Sequence, residues 1–320
     1  MTLPDLPVGE TFPALRATLA AGRPAVVVAP PGAGKTTLVP LALLDEPWLA
    51  ERRIVVLEPR RLATRAAARR MAQILGEDVG LTVGYQTRDE RRIGSATRIE
   101  VVTEGILTRR LQNDPELPGV GLVIFDEVHE RNLTTDLGLA LALDVTATIR
   151  PDLRLMAMSA TPDTAALLGA LPDAELLTSE GRTFPVDLRW APRQPKQRIE
   201  PAVAAVVQQA LRDEAGDVLV FLPGIGEIQR VHDQLAPNVG AGVDIRPLAG
   251  ALSLAEQDEA LAPSPPGRRR VVLSTDIAET SLTVEGVRVV VDSGLARAPR
   301  FDVGTGMTRL TTISTSRASA

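Results

Sequence analysis

Short apolar runs rich in β-branched residues recur along the chain, and each is followed by a turn or a helical pattern. In the first half they occupy residues 25–30, 53–59, 98–105, 121–127 and 153–160. Runs without polar alternation are typical of strands buried on both faces, so they predict a mostly parallel sheet covered by helices. Amphipathic or apolar helices are predicted between the strands, for example over residues 62–75 and 133–149.

A stretch rich in proline and charge, residues 184–201, interrupts this pattern and predicts a linker between domains. After it the apolar runs resume at residues 217–223, 242–250, 269–275 and 288–293. The sequence therefore predicts two tandem α/β domains, residues 1–183 and residues 202–320, in which strands alternate with helices.

The composition of the chain excludes several kinds of catalytic and binding site. The chain of 320 residues contains no cysteine, which excludes thiol catalysis, cysteine-ligated zinc and disulfides. We find no signal peptide and no apolar run long enough to cross a membrane, so we expect a cytoplasmic protein with no membrane partner. The net charge is −5 and only 2% of residues are aromatic. Any nucleic acid is therefore expected to be held by its backbone rather than by base stacking.

A phosphate-binding loop is predicted where the first strand runs into the sequence PPGAGKTT and then into a helical pattern. Glycines let backbone N–H groups turn toward a phosphate, and the helix N-terminus adds its positive end. Lys35 is expected to reach the β- and γ-phosphates, and Thr36 to bind Mg²⁺. Ala29 stands where the usual pattern has its first glycine. The residues expected to hold the nucleotide, ATP or another nucleoside triphosphate, are Gly32, Ala33, Gly34, Lys35, Thr36 and Thr37.

A second part of the same site is predicted at Asp126 and Glu127, where a buried apolar strand ends in two acids. Carboxylates are costly inside a protein unless they meet a cation. Asp126 is therefore expected to bind Mg²⁺, and Glu127 to orient and polarise the attacking water, as phosphoryl transfer requires.

The segment DEVHER, from Asp126 onward, resembles motif II of the DEAH/RHA-type superfamily 2 helicases, with valine in place of the usual alanine. Further motifs follow in the order of that family. They are EPRRLA at residues 58–63, TEGIL at 103–107, SAT at 159–161, FLPG at 221–224 and STDIAETSLT at 274–283. The segments APPGAGKTT and LPGIGEI are most similar to the bacterial HrpB-type subgroup.

This resemblance implies two RecA-like lobes and an ATP-dependent enzyme that moves or unwinds RNA or DNA. It implies that His129 links the γ-phosphate region to the second lobe, and that Ser159 and Thr161 couple hydrolysis to movement. It also implies backbone contacts to nucleic acid and, at Glu285, a contact near the ribose of the nucleotide. The residues implied as nucleic-acid contacts are Arg60, Arg61, Thr103 and Thr275.

The sequence leaves the activity of this chain open between several possibilities. The family's next motif, QRxGRxGR, does not occur before Ala320. We therefore expect a truncated piece of a longer enzyme, which binds nucleotide but hydrolyses it slowly, and we expect a monomer. Two alternatives explain part of the pattern: a P-loop NTPase without a nucleic-acid partner, and a nucleic-acid clamp that uses nucleotide only as a switch. The motifs do not distinguish RNA from DNA.

Overall fold

The structure is a computed structural model that describes residues 3–181, 185–191, 198–278 and 284–315. The chain divides into two compact units, Met1–Pro185 and Val186–Ala320. This division falls inside the range predicted as a linker, of which residues 184 and 192–197 lie outside the described residues. The first helix of the second unit begins at Ile199, before the predicted domain start at residue 202.

The described part of the first unit contains a sheet of eight strands. In chain order they are β1 Ala25–Val28, β2 Arg53–Leu57, β3 Val83–Gln86, β4 Arg91–Arg92, β5 Ile99–Val102, β6 Val120–Phe125, β7 Arg154–Ser159 and β8 Glu175–Thr178. Their order across the sheet is β4-β3-β5-β2-β6-β7-β1-β8. All pairs are parallel except β3 with β4. The prediction of a mostly parallel sheet is confirmed.

Helices cover both faces of this sheet. They are α1 Phe12–Ala20, α2 Lys35–Ala42, α3 Arg61–Leu75, α4 Glu104–Asn113, α5 Leu133–Thr148 and α6 Ala165–Ala170, with short 3-10 helices at Pro7–Thr11 and Val128–Glu130. Along β1, Val27 packs in the cluster that includes α1, α2 and α3, whereas Val26 packs in the cluster that includes α4 and α5. Successive side chains of a strand point to opposite faces. Both faces of the sheet are therefore buried under helices, which explains the uninterrupted apolar runs.

Three strands of this sheet, β3, β4 and β8, were not predicted. They lie at or next to its two edges, and β4 consists of two exposed arginines without an apolar pattern. Residues 103–105 were predicted as the end of a strand, and this was wrong. Thr103 instead precedes α4, which begins at Glu104, so the chain turns into a helix at the end of β5.

The described part of the second unit repeats the parallel arrangement on a smaller scale. Its strands are β9 Asp217–Phe221, β10 Val243–Leu248, β11 Arg269–Ser274 and β12 Val287–Asp292, in the parallel order β10-β11-β9-β12. Its helices are α7 Ile199–Asp213, α8 Ile225–Leu235 and α9 Leu254–Leu261, with 3-10 helices at Ala236–Asn238 and Asp276–Ala278. Val207 and Ile228 bury their side chains in one apolar core with strand residues such as Val271.

An antiparallel hairpin, β13 Leu295–Asp302 and β14 Met307–Ser314, follows β12 and was not predicted. Most of its side chains are exposed, including Phe301 and Leu310. A strand without a buried face leaves no apolar periodicity to detect. In the described ranges, none of the helices combines the length and apolar character that crossing a bilayer requires.

A buried ion pair anchors the core of the second unit. The Arg270 side chain is fully buried, and its Nε donates to Asp217 Oδ2 at 2.7 Å while its backbone N–H donates to Asp217 Oδ1 at 2.9 Å. One terminal nitrogen also donates to the carbonyl oxygen of Leu261 at 2.7 Å. The pair therefore joins the starts of β9 and β11 to the end of α9.

Asp217→Ala is expected to lower the free energy of unfolding of the second unit by about 3–5 kcal/mol, because it leaves a buried guanidinium without its counter-charge. Urea denaturation followed by circular dichroism measures this loss. Asp233→Ala is the matched control, since the Asp233 side chain is 63% exposed beside His232 and exposed pairs contribute about 0–1 kcal/mol. Equal losses in the two variants would contradict the prediction.

Candidate functional site

The carboxyl edge of the first sheet brings the two predicted phosphate-site segments together. Strand β7 lies between β6 and β1, so the ends of these strands are close neighbours. Thr36 Oγ1, in the first turn of α2, donates to Asp126 Oδ2 at 2.5 Å. Open α/β sheets bind their ligands at this edge. The structure thus places Thr36 and Asp126, far apart in the sequence, in direct contact.

The loop between β1 and α2 has the backbone of a phosphate cradle. Gly32 has φ +78° and Gly34 has φ +93°, a left-handed conformation that side chains rarely adopt. A Cβ on Gly34 would lie 2.8 Å from Leu6 Cδ1, the movable end of a side chain, so the positive φ is the stronger reason for glycine there. Ala29 is not among the positive-φ residues, which explains why an alanine is tolerated where the usual pattern has glycine.

Lys35 is buried within this loop, with 5% of its surface exposed. Its Nζ donates to the carbonyl oxygen of Ala29 at 2.9 Å, so the ammonium lies across the loop at the end of β1. An ammonium is a compact donor on a flexible stem. It can exchange the carbonyl for phosphate oxygens by a small movement, as the predicted role requires.

Asp126 is fully buried beside a second acid. The pKa of Asp126 is raised to about 7, chiefly by burial and also by the charge of Glu127, while the Lys35 ammonium opposes both effects. Asp126 Oδ1 accepts a hydrogen bond from the Glu127 N–H at 2.8 Å. The carboxylate is thus destabilised in its ionised form, and a bound cation would relieve that cost.

His129 connects Glu127 to the end of β7. Its Nδ1 accepts a hydrogen bond from the backbone N–H of Ala160 at 3.2 Å and lies 3.4 Å from Glu127 Oε2. A nitrogen that accepts from an N–H carries no proton itself, so the ring is neutral with its proton on Nε2. Burial lowers the pKa of His129, in agreement with this assignment. The contact with Glu127 is therefore not an ion pair.

Ser159 and Thr161, expected to couple hydrolysis to movement, lie beside this histidine. Ser159 Oγ donates to the Thr161 carbonyl oxygen at 2.9 Å and accepts from the Thr161 N–H at 3.1 Å. The Ser159 carbonyl oxygen accepts from the Ala29 N–H at 3.1 Å. The segment therefore bridges the phosphate loop and the His129 turn.

The expected nucleic-acid contacts of the first unit lie at the same edge, farther along the sheet. Arg60 and Thr103 precede the first turns of α3 and α4, after β2 and β5. Arg60 Nε lies 3.7 Å from Glu130 Oε1, and the exposed Arg61 pairs with Asp89. The sequence reasoning gave Glu130 no role, although it lies within the quoted DEVHER segment.

The second unit separates its two expected site residues. Thr275 follows β11 at the carboxyl edge of that sheet. Glu285 lies in the exposed turn before β12, at the opposite edge, and its carbonyl oxygen accepts from Arg270. The ribose contact that the resemblance implies for Glu285 stays a prediction. Residues 279–283 of the motif at 274–283 lie outside the described residues.

Comparisons with known proteins agree with this geometry. The family model described as DEAD/DEAH box helicase matches residues 11–168, and the model described as helicase conserved C-terminal domain matches residues 202–305. The ATP-dependent RNA helicase HrpB of Escherichia coli (strain K12) is 52% identical over 315 residues, which cover 98% of this chain and 39% of that protein.

Two crystal structures of Escherichia coli HrpB are also similar, one described as a DEAH/RHA helicase and the other as a DExH-box NTPase. Both are 52% identical, with TM-scores of 0.91 and 0.81. The matched region covers 98% of this chain and 40% of the first crystallised chain, and 100% of this chain and 39% of the second. The chain therefore spans about two fifths of the length of these relatives. Its motifs, its two RecA-like units and these matches show that it belongs to the DEAD/DEAH box helicases, in the DEAH/RHA group.

Proposed function

We propose that this chain is the motor part of an ATP-dependent nucleic-acid helicase. The observation that carries the proposal is the contact between Thr36 Oγ1 and Asp126 Oδ2 at 2.5 Å, next to the buried ammonium of Lys35. A hydroxyl, a carboxylate and an ammonium converge at a helix N-terminus, which is the set of groups that binds a metal-bound triphosphate.

Mg²⁺ fits the oxygens that meet here. Hard cations take carboxylate and hydroxyl ligands. The pKa of the buried Asp126 carboxyl is raised, and a bound cation would lower it again by stabilising the ionised form. Thr36 and Asp126 are the residues that would hold the ion. When bound, the ion would neutralise charge on the phosphate oxygens.

The residues around this site have distinct proposed roles in hydrolysis. Lys35 turns from the Ala29 carbonyl toward the β- and γ-phosphates and stabilises their charge. Glu127 accepts a hydrogen bond from the attacking water and orients it for in-line attack. The neutral His129 holds the turn that carries Glu127 against Ala160, so the carboxylate keeps its position.

A nucleic-acid strand is the proposed partner, bound through its phosphates. Arg60 and Arg61 supply cations at the carboxyl edge of the first sheet, beside the Thr103 turn. Contacts of this kind position a strand without reading its sequence and weaken as salt rises. The similar Escherichia coli protein is named an RNA helicase, so single-stranded RNA is the first substrate to test.

The experiment measures the affinity of this chain for a fluorescent single-stranded RNA of mixed sequence. We expect the dissociation constant to differ by about fivefold or more between the Mg²⁺–ATP analogue AMPPNP and ADP, and the affinity to fall with salt. A DNA strand of the same sequence tests the choice of RNA. The proposed function would be contradicted if the RNA affinity were the same with AMPPNP and with ADP, or if the chain did not bind RNA.

A further inference from the structure

A short turn links the nucleotide site of the first unit to its expected nucleic-acid contacts. We define the linking turn as residues 127–132, which contain the 3-10 helix Val128–Glu130. It begins and ends in unusual backbone, since Glu127 has φ 53° and Arg131 has φ 52°. Non-glycine residues in this region are strained, and such strain persists only where the surroundings hold it in place.

Three contacts of this turn each go to a different segment of the site. The first is the hydrogen bond that His129 Nδ1 accepts from the Ala160 N–H. Asp126, the proposed Mg²⁺ ligand, immediately precedes the turn, and Glu127 is its first residue. This end of the turn is therefore joined directly to the proposed Mg²⁺ ligand.

The second contact goes to the arginine that precedes α3. Arg60 Nε lies 3.7 Å from Glu130 Oε1, and only 26% and 17% of the two side chains are exposed. This separation is an ion pair rather than a hydrogen bond, and limited exposure reduces the screening of the two charges by water. Glu130 directly follows His129 in the same 3-10 helix, so a movement of this backbone displaces both side chains.

The third contact goes to the start of α4. Asn132 Nδ2 donates to Glu104 Oε1 at 2.9 Å, while Asn132 Oδ1 accepts from the Thr134 N–H at 3.0 Å and caps α5. Glu104 is the first residue of α4 and follows Thr103. The linking turn thus touches both segments that carry the expected RNA contacts of this unit.

We propose that Glu130 is a positioning residue that orients Arg60 according to the state of the nucleotide site, and so makes the RNA affinity of the first unit depend on the bound nucleotide. The inference rests on the proposed function. When Asp126 and Glu127 adjust to a nucleotide, the linking turn moves with them. Glu130 then moves the guanidinium of Arg60 toward or away from an RNA phosphate. The Asn132 contact carries the same movement to α4.

The test compares RNA affinity in AMPPNP and in ADP, both with Mg²⁺, for the unmodified chain and for Glu130→Gln. The amide keeps the shape of the side chain and removes its charge. In the unmodified chain we expect the two dissociation constants to differ by about fivefold or more. In Glu130→Gln we expect them to differ by less than about twofold. Affinity for AMPPNP, measured without RNA, stays unchanged because Glu130 does not touch the phosphate loop.

Two further variants separate positioning from a general loss of structure. Asp136→Asn removes the exposed ion pair that Arg131 of the turn makes with Asp136, a contact that leads to neither expected RNA-binding segment, and it should keep the ratio of the unmodified chain. Arg60→Lys keeps a cation opposite Glu130 and should retain most of the ratio, whereas Arg60→Gln should abolish it. In a double-mutant cycle, Glu130→Gln should then add nothing to Arg60→Gln.

The outcomes are distinguishable. If the unmodified chain shows no dependence of RNA affinity on nucleotide, the proposed function itself fails. If it shows the dependence and Glu130→Gln keeps it, only the positioning role is overturned. The role is also overturned if Glu130→Gln weakens AMPPNP binding as strongly as it lowers the ratio, or if Asp136→Asn lowers the ratio equally.

Discussion

Glu127→Gln is expected to lower the single-turnover rate of ATP hydrolysis by about 10²–10⁴-fold while ATP affinity stays nearly unchanged. Glu127 lies beside the Thr36–Asp126 pair but is not part of the phosphate cradle. The amide keeps the volume of the side chain in a site where only 7% of the residue is exposed. It cannot polarise water as a carboxylate does. Rapid-quench measurement of phosphate release under excess enzyme reads the chemical step directly.

Glu51→Gln is the control for this variant, because the side chain of Glu51 is 98% exposed and lies outside the site. It should hydrolyse ATP at the rate of the unmodified chain. Unchanged hydrolysis in Glu127→Gln would remove this residue from the chemical step. A parallel loss of ATP binding would assign it to the cradle instead.

Lys35→Ala is expected to weaken binding of Mg²⁺–ATP by about tenfold to a hundredfold, because charge-assisted hydrogen bonds to phosphate are lost. The folded state should change little, since the ammonium in this structure donates to one backbone carbonyl, that of Ala29. Titration with a fluorescent ATP derivative measures the affinity, and circular dichroism checks the fold. The rate of ATP hydrolysis should fall together with the affinity for Mg²⁺–ATP, because the same ammonium stabilises charge on the transferred phosphoryl group.

Arg92→Ala provides a matched loss of positive charge at an exposed edge strand. It should leave the affinity for Mg²⁺–ATP unchanged. If Lys35→Ala binds as tightly as Arg92→Ala, the loop does not hold the phosphates through this residue, and the proposed function loses its central support.

The central strands and the phosphate site could be predicted from the sequence because their signals are local. Residues 25–28 are apolar on both faces and lead directly into the glycine-containing loop, so one short segment specifies strand, turn and helix. The strand that ends at Asp126 carries a similar signal. Placing both acids and Lys35 at one edge followed from the rule that parallel strands present ligands at their carboxyl ends.

The edge strands and the hairpin could not be predicted in the same way. Strand β4 pairs with β3 through backbone hydrogen bonds that any side chain permits, and the hairpin β13–β14 exposes most of its residues. Neither leaves a periodic pattern. Glu285 was assigned from the resemblance alone, and its contact with the ribose stays a prediction.

The sequence by itself determined the class of fold, the phosphate loop and the family, because each depends on residues that are adjacent or regularly spaced. Only the tertiary structure decided which distant side chains meet. Outside the predicted phosphate site, Glu130 lies opposite Arg60, and the buried Arg270 pairs with Asp217. These contacts join residues on different strands and helices. They arise from the order of strands in each sheet, which long-range packing sets and no local pattern encodes.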